Sequence, residues 1–289
     1  PSHKLDVAGN INIDQFSTYR QNGNTILYAS STIGSLSIGS NAALNATTSS
    51  AAYYLTAVGH AAAKFTTGAN NTAFGYAALL TNTSGTDNTA IGYNTLYSNN
   101  SGGTYNTAVG AYAGQNITSG DHNTAVGYNA LASYTSGTYS TAMGSAALQN
   151  TTGSNNTAMG YQAGYNLSTG IENTLMGYGA GSNQGVGSYN TGIGRSALRS
   201  TVGNLNLALG FQAGYDLTSG QQNILIGSTN TTGGNRITTG SNNISIGFNA
   251  AFPSSTANNQ LNIANTIFGT ITATSTSTSV PTNFSGTLI

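Results

Sequence analysis

The sequence predicts an all-β fold, a parallel β-solenoid stacked from about 13 short coils, and three observations predict it. A glycine-terminated pentapeptide recurs along most of the 289 residues, a second glycine keeps a fixed offset from it, and side chains alternate with a period of two just before it. Self-similarity at a fixed short period is the signature of a stacked repeat architecture.

The pentapeptide reads Asn-Thr-Ala-(Phe/Ile/Val/Met)-Gly at 71–75, 88–92, 106–110, 123–127 and 156–160, with variants such as STAMG (140–144) and NISIG (243–247). Earlier copies at 35–39 and 55–59 and a degenerate one at 265–269 extend the array. The closing glycines run from Gly39 to Gly247, about 17 residues apart. From Gly75 onward another glycine lies seven residues before each, beginning with Gly68 and ending with Gly240. Length varies only between a closing glycine and the next of these, as it does in loops. Seventeen residues is too short for a two-helix repeat, and glycine and β-branched residues at this density disfavour helices.

Within each copy, Thr (Thr72, Thr89, Thr124) and a large apolar residue (Phe74, Ile91, Val126) flank a small one (Ala73, Ala90, Ala125). Alternation puts the flanking pair on one face of a short strand, expected to point inward, and Ala on the other. A second short segment follows the closing glycine, as in Tyr128–Leu131 and Tyr161–Gly164, with Ala almost always third (Ala130, Ala163). It reads as a second strand whose small residue admits another backbone or subunit. Each coil is thus expected to run strand, glycine bend, strand, loop, and twelve steps of stacking give a rod of roughly 58 Å.

Stacking places equivalent residues over one another. Asn recurs four residues before the closing glycine (Asn71, Asn88, Asn106, Asn123, Asn156), so an amide ladder is expected along the axis. Asp87, Asp121, His122 and Glu172 all fall between the second glycine and that Asn, which marks a solvated turn. A coil this short has little core of its own. Stacking many coils and packing several chains side by side both remedy that, and a self-associating rod is expected.

The pentapeptide copies resemble the head repeats of trimeric autotransporter adhesins, and Asn123–Leu131 resembles bacteriophage tail fibres and surface proteins that end in an endosialidase-type intramolecular chaperone. Residues 2–13 and 260–269 look like the flanks of the repeats in that group. The resemblance implies a left-handed parallel β-roll, a homotrimer, and an extracellular setting on a cell surface or a virion tail fibre. It also implies that Ile289 is an end left by removal of a self-cleaving chaperone; an intact mass showing residues beyond Ile289 would dismiss that expectation.

Three regions are expected. Residues 1–34 form a β cap, with Leu5/Val7 and Ile11/Ile13 alternating and Asn22-Gly23 a hairpin turn between Phe16–Arg20 and Thr25–Tyr28. The cap would cover the open edge of the first coil. Residues 35–269 form the solenoid, and residues 270–289, rich in Thr and Ser with Pro281, form an extension or linker.

Composition narrows function by exclusion. Six basic and six acidic residues with zero net charge argue against nucleic acid and against an anionic membrane surface as partners. No apolar run approaches the ~20 residues of a membrane span, and no cysteine is present for disulfide or thiolate chemistry. His3, His60, His122 and the acids occupy unrelated points of the repeat, so neither a catalytic carboxylate pair nor a metal cluster is expected. The glycine-rich stretch 177–187 lacks the Lys of a phosphate loop. The expectation is a non-enzymatic chain without cofactor or metal, a structural and adhesive fibre segment whose partners are its own copies and a surface glycan or protein receptor. Tyr76, Tyr93, Tyr128, Tyr161 and Tyr178 directly follow closing glycines and are the candidate ligand-contact aromatics; the simpler alternative is a ladder of rings packed on one another or between subunits. Two other classes are carried: an ice-binding solenoid, which needs an outward Thr array, and a polysaccharide-cleaving tailspike, which needs an acid pair.

Overall fold

The computed structural model describes residues 18–21, 24–30, 34–44, 53–99, 101–183, 185, 187–227 and 237–270. Expectations for residues 1–17, the Asn22-Gly23 turn itself and residues 271–289 lie outside them. Every described strand belongs to one sheet. Strand β3 (Ser35–Ile38) begins a parallel stack that continues through three-residue strands, β4 (Thr56–Val58) to β15 (Ile244–Ile246), and ends at β16 (Gln260–Ile263). The register has no slip: Thr72 lies beside Thr89, Ala73 beside Ala90 and Phe74 beside Ile91, and so on up the stack. The fold is therefore a β-solenoid with one coil per ~17-residue repeat, as the periodicity predicts.

Antiparallel strands close both ends. Strands β1 (Thr18–Gln21) and β2 (Asn24–Ser30) pair antiparallel, and β2 pairs antiparallel with β3. At the other end β17 (Ile267–Thr270) folds back antiparallel on β16. A hairpin in the N-terminal region matches the expectation from its sequence.

Among the described residues each coil holds one strand, not two. The segment after the closing glycine is a run of turns in which left-handed residues alternate with others: Asn129 has φ 56° and Leu131 φ 52°. That alternation sends every second N–H group to opposite neighbours, Asn129 N–H to Ala111 O at 3.1 Å and Leu131 N–H to Ala147 O at 3.0 Å, while Ala130 N–H between them bonds to Gly127 O of its own coil. The segment is tied to both adjacent coils without extended backbone. The bend ahead of it requires glycine. Gly127 has φ +130°, and a Cβ there would lie 2.6 Å from the Gly144 carbonyl oxygen stacked next to it.

The two strand faces are the reverse of the expectation. Ala73, Ala90, Ala108, Ala142 and Ala158 are fully buried, whereas Thr and the large apolar residue on either side point outward. The interior explains this, because it is one side chain thick. A Cβ at Gly192, in the middle of its strand, would stand 3.4 Å from the Ala197 carbonyl oxygen across the same coil. Ala130 and Ala163 are small for the same reason: they line that interior and receive the chain's own backbone, not a subunit.

What room remains is filled by leucines that exchange places between coils. Leu148 is buried where its coil carries Thr151 three residues later, whereas Gly164 takes that place where Leu167 and Leu175 fill the coil. A Cβ at Gly164 would meet Leu148 Cδ2 at 2.7 Å and Leu175 Cδ1 at 3.1 Å. Gly214 is arranged likewise between Leu198 and Leu225. The core is interdigitated along the axis, so volume is conserved over neighbouring coils rather than within each one.

The asparagine ladder is buried, and its bonds are mostly to backbone. Asn71 Oδ1 accepts from the Asn88 N–H at 2.9 Å, and Asn71 Nδ2 donates to the Gly85 carbonyl of the next coil at 2.9 Å. The pattern repeats at Asn88, Asn106, Asn156, Asn173, Asn190 and Asn206, with amide-to-amide bonds added at pairs such as Asn173–Asn156 (3.1 Å). Ser140 interrupts the ladder and is too short to reach the next glycine. Tyr134 supplies the missing donor, its hydroxyl reaching the Gly153 carbonyl at 3.1 Å and Ser140 Oγ at 2.9 Å. Burial raises the Tyr134 phenol above its ordinary pKa, while the bond to Ser140 opposes that shift.

Candidate functional site: an outward strand face and its aromatic borders

The parallel register aligns the outward side chains into two columns. Thr occupies one at nine successive coils, Thr56, Thr72, Thr89, Thr107, Thr124, Thr141, Thr157, Thr174 and Thr191, after which Leu207, Ile224 and Ile244 take over. The other column is apolar throughout, and at Phe74 (56% exposed), Met143 and Met159 (40% each) much of the side chain is in solvent. At ~4.8 Å per coil the strip is roughly 60 Å long and two residues wide, on the order of 600 Å². Its apolar part is one residue wide as far as Ile193 and two residues wide from Leu207 onward, and an unbroken outward apolar column running the length of the stack is unusual on the surface of an isolated chain.

Aromatic residues border the strip on both sides. Beyond the closing glycines, His60, Tyr76 and Tyr93 form one stack, with centroids 5.3 and 5.1 Å apart and the rings within 18° of parallel. The next coil carries Ala111 there, and Tyr112, one residue later, spans the gap edge-on to Tyr93 (5.3 Å) and to Tyr128 (6.0 Å). Tyr161 and Tyr178 stack again at 5.1 Å. Arg195 then lies between Tyr178 and Phe211, its guanidinium carbon 5.5 and 5.7 Å from the two ring centres. On the opposite border His122 is sandwiched by Tyr105 at 4.7 Å and Tyr139 at 5.0 Å.

Tyr76, Tyr93, Tyr128, Tyr161 and Tyr178 are therefore all on the surface of one border, each about half exposed. Except at Tyr128, a stacked neighbour covers ring faces, so the border presents mainly ring edges and hydroxyls. Tyr112 and Arg195 belong to the same border, although the repeat pattern does not point to either. The one-residue shift of Ala111-Tyr112 conceals the first, and the second is a cation in a column whose other large residues are aromatic. Partial desolvation, the Tyr93 phenol and the Tyr128 phenol raise the Tyr112 pKa.

Two carboxylates serve the turns. Asp121 Oδ1 accepts from the Thr104 N–H at 2.7 Å and the Thr104 hydroxyl at 2.9 Å, and Asn70 Nδ2 donates to Asp87 Oδ1 at 3.0 Å. Among the described residues no group of three or more His, Cys, Asp or Glu side chains could hold a metal ion, and no helix is long and apolar enough to cross a membrane. Compared with family models, with curated proteins and with solved structures, the chain has no match.

Proposed function

We propose that the chain is a structural and adhesive segment of an extracellular fibre, a homotrimer of left-handed coils that associate side by side through the outward strand face. The observation carrying this reading is the unbroken apolar column from Val58 to Ile246, which a lone rod would leave in water. Burial of such a strip is favourable at about 25 cal/mol per Å². A face that repeats every coil suits like chains in register, because each coil then meets an equivalent coil. Among the described residues the interior is filled by Ala and Leu side chains, which leaves receptor or glycan contact to the borders. Light scattering on the folded chain tests the assembly: three times 29.2 kDa is expected, and a monomer at micromolar concentration would overturn it.

One observation favours a second reading. The nine-coil Thr column faces outward on a regular stack, which is the arrangement an ice-binding surface needs. Its neighbour column mixes Val, Phe, Ile and Met and is uneven, which favours protein contact over a flat lattice. A monomeric mass together with thermal hysteresis would select the ice-binding reading.

A further inference from the structure

We propose that the stacked pairs Tyr76–Tyr93 and Tyr161–Tyr178 are oxidative cross-linking sites, at which a peroxidase-class one-electron oxidant joins adjacent coils through a ring-to-ring carbon–carbon bond. Each pair has centroids 5.1 Å apart, with the rings 11° and 24° from parallel. All four rings are about half exposed, so an oxidant reaches them. Backbone bonds on both sides of each pair hold the coils together: Gly92 N–H to Phe74 O (2.8 Å) and Asn94 N–H to Tyr76 O (3.0 Å), and equally Gly177 N–H to Met159 O (2.8 Å) and Gly179 N–H to Tyr161 O (2.9 Å). Two reactants fixed at contact distance react as if at very high concentration.

Composition directs the chemistry to these rings. The chain has no Cys and no Trp, the side chains that otherwise draw an oxidising equivalent away from tyrosine, and it has 17 Tyr. Methionine is oxidised instead by oxygen transfer to a sulfoxide, which forms no link. Each phenol gives one electron and one proton to the oxidant, and hydrogen peroxide takes both pairs to become two waters. The two radicals couple at the carbons ortho to oxygen. Each ring then passes its ortho hydrogen to its own oxygen, which restores two phenols. The perpendicular pairs involving Tyr112 point one ring edge at the other's face and do not align two ortho carbons.

The test treats the full chain, dilute, with a haem peroxidase and hydrogen peroxide, followed by peptide mapping and dityrosine fluorescence. Intrachain links joining residue 76 to 93 and 161 to 178, each two hydrogen atoms lighter than the separate peptides, are expected. Tyr93→Phe should abolish the first and spare the second, and Tyr178→Phe the reverse; Phe keeps the stacking, and circular dichroism checks the fold. Links scattered over other tyrosines, links only between chains, or methionine sulfoxide without any link would each overturn the proposal. It stands apart from the assembly reading, since both partners of each pair lie in one chain.

Discussion

At Gly164 the interior shows how narrowly each side chain is chosen. Its φ of +61° is not by itself the obstacle, because Leu131 (52°), Leu148 (48°) and Leu198 (49°) adopt the same conformation at the equivalent point of their coils. What differs is occupancy: the space beside Gly164 already holds Leu148 and Leu175. Gly164→Ala should therefore cost about 1–3 kcal/mol from overpacking, read as a lower urea midpoint. Leu148→Ala, which opens that space, should itself destabilise by about 2–5 kcal/mol. The double variant should be more stable than the two costs together predict, since the added methyl then fills part of the cavity. Strict additivity would show that the leucines and glycines are not exchanging volume between coils.

At the scale of the coil, the asparagine ladder takes over the polar work of a turn with no exposed partner. Asn190 Oδ1 accepts from the Asn206 N–H (3.0 Å) and Nδ2 (3.1 Å), and its own Nδ2 reaches the Gly203 carbonyl (2.9 Å). Asn190→Ala would orphan a buried N–H and a buried C=O, at about 1–3 kcal/mol each. Equilibrium unfolding should show that loss, whereas Asn116→Ala, an exposed turn position, should stay near wild type; equal effects would mean that the ladder does not stabilise the rod. Much of this element was legible in the sequence, because Asn at a fixed place in a fixed repeat has to stack on its own copies once the coils are in register. The direction of the strand faces was not. Period two identifies which residues share a face but not which face is inside, and ranking by side-chain size chooses wrongly where the interior admits only Ala. The second segment is hard to read for a related cause: its left-handed residues are Asn129, Gln162 and Leu131, only the first of which suggests that conformation. Tyr134 gives no sign of being a ladder member because it replaces an amide from a different point of the coil.

Over the whole molecule, the reversed faces turn an apparent core into a surface, and this has a consequence that separates folding from assembly. If Met143 and Met159 were core residues, charging them would unfold the rod, because an unpaired charge would be buried. In the structure both side chains stand 40% exposed on the free chain, so Met143→Glu with Met159→Glu leaves each coil's Ala–Leu interior, asparagine ladder and closing glycines untouched. The solenoid transmits stability between neighbouring coils, so a disturbed coil would be felt locally and would show in far-ultraviolet circular dichroism. The expected outcome is an unchanged spectrum together with a fall in mass by light scattering from three chains to one of 29.2 kDa, since six carboxylates would meet along the shared strip. Loss of the β spectrum would place these methionines inside the fold after all. An intact trimer with an intact spectrum would move the association surface off this strip, to the tyrosine borders or to the edges of β1 and β17, the only described strands with one paired side.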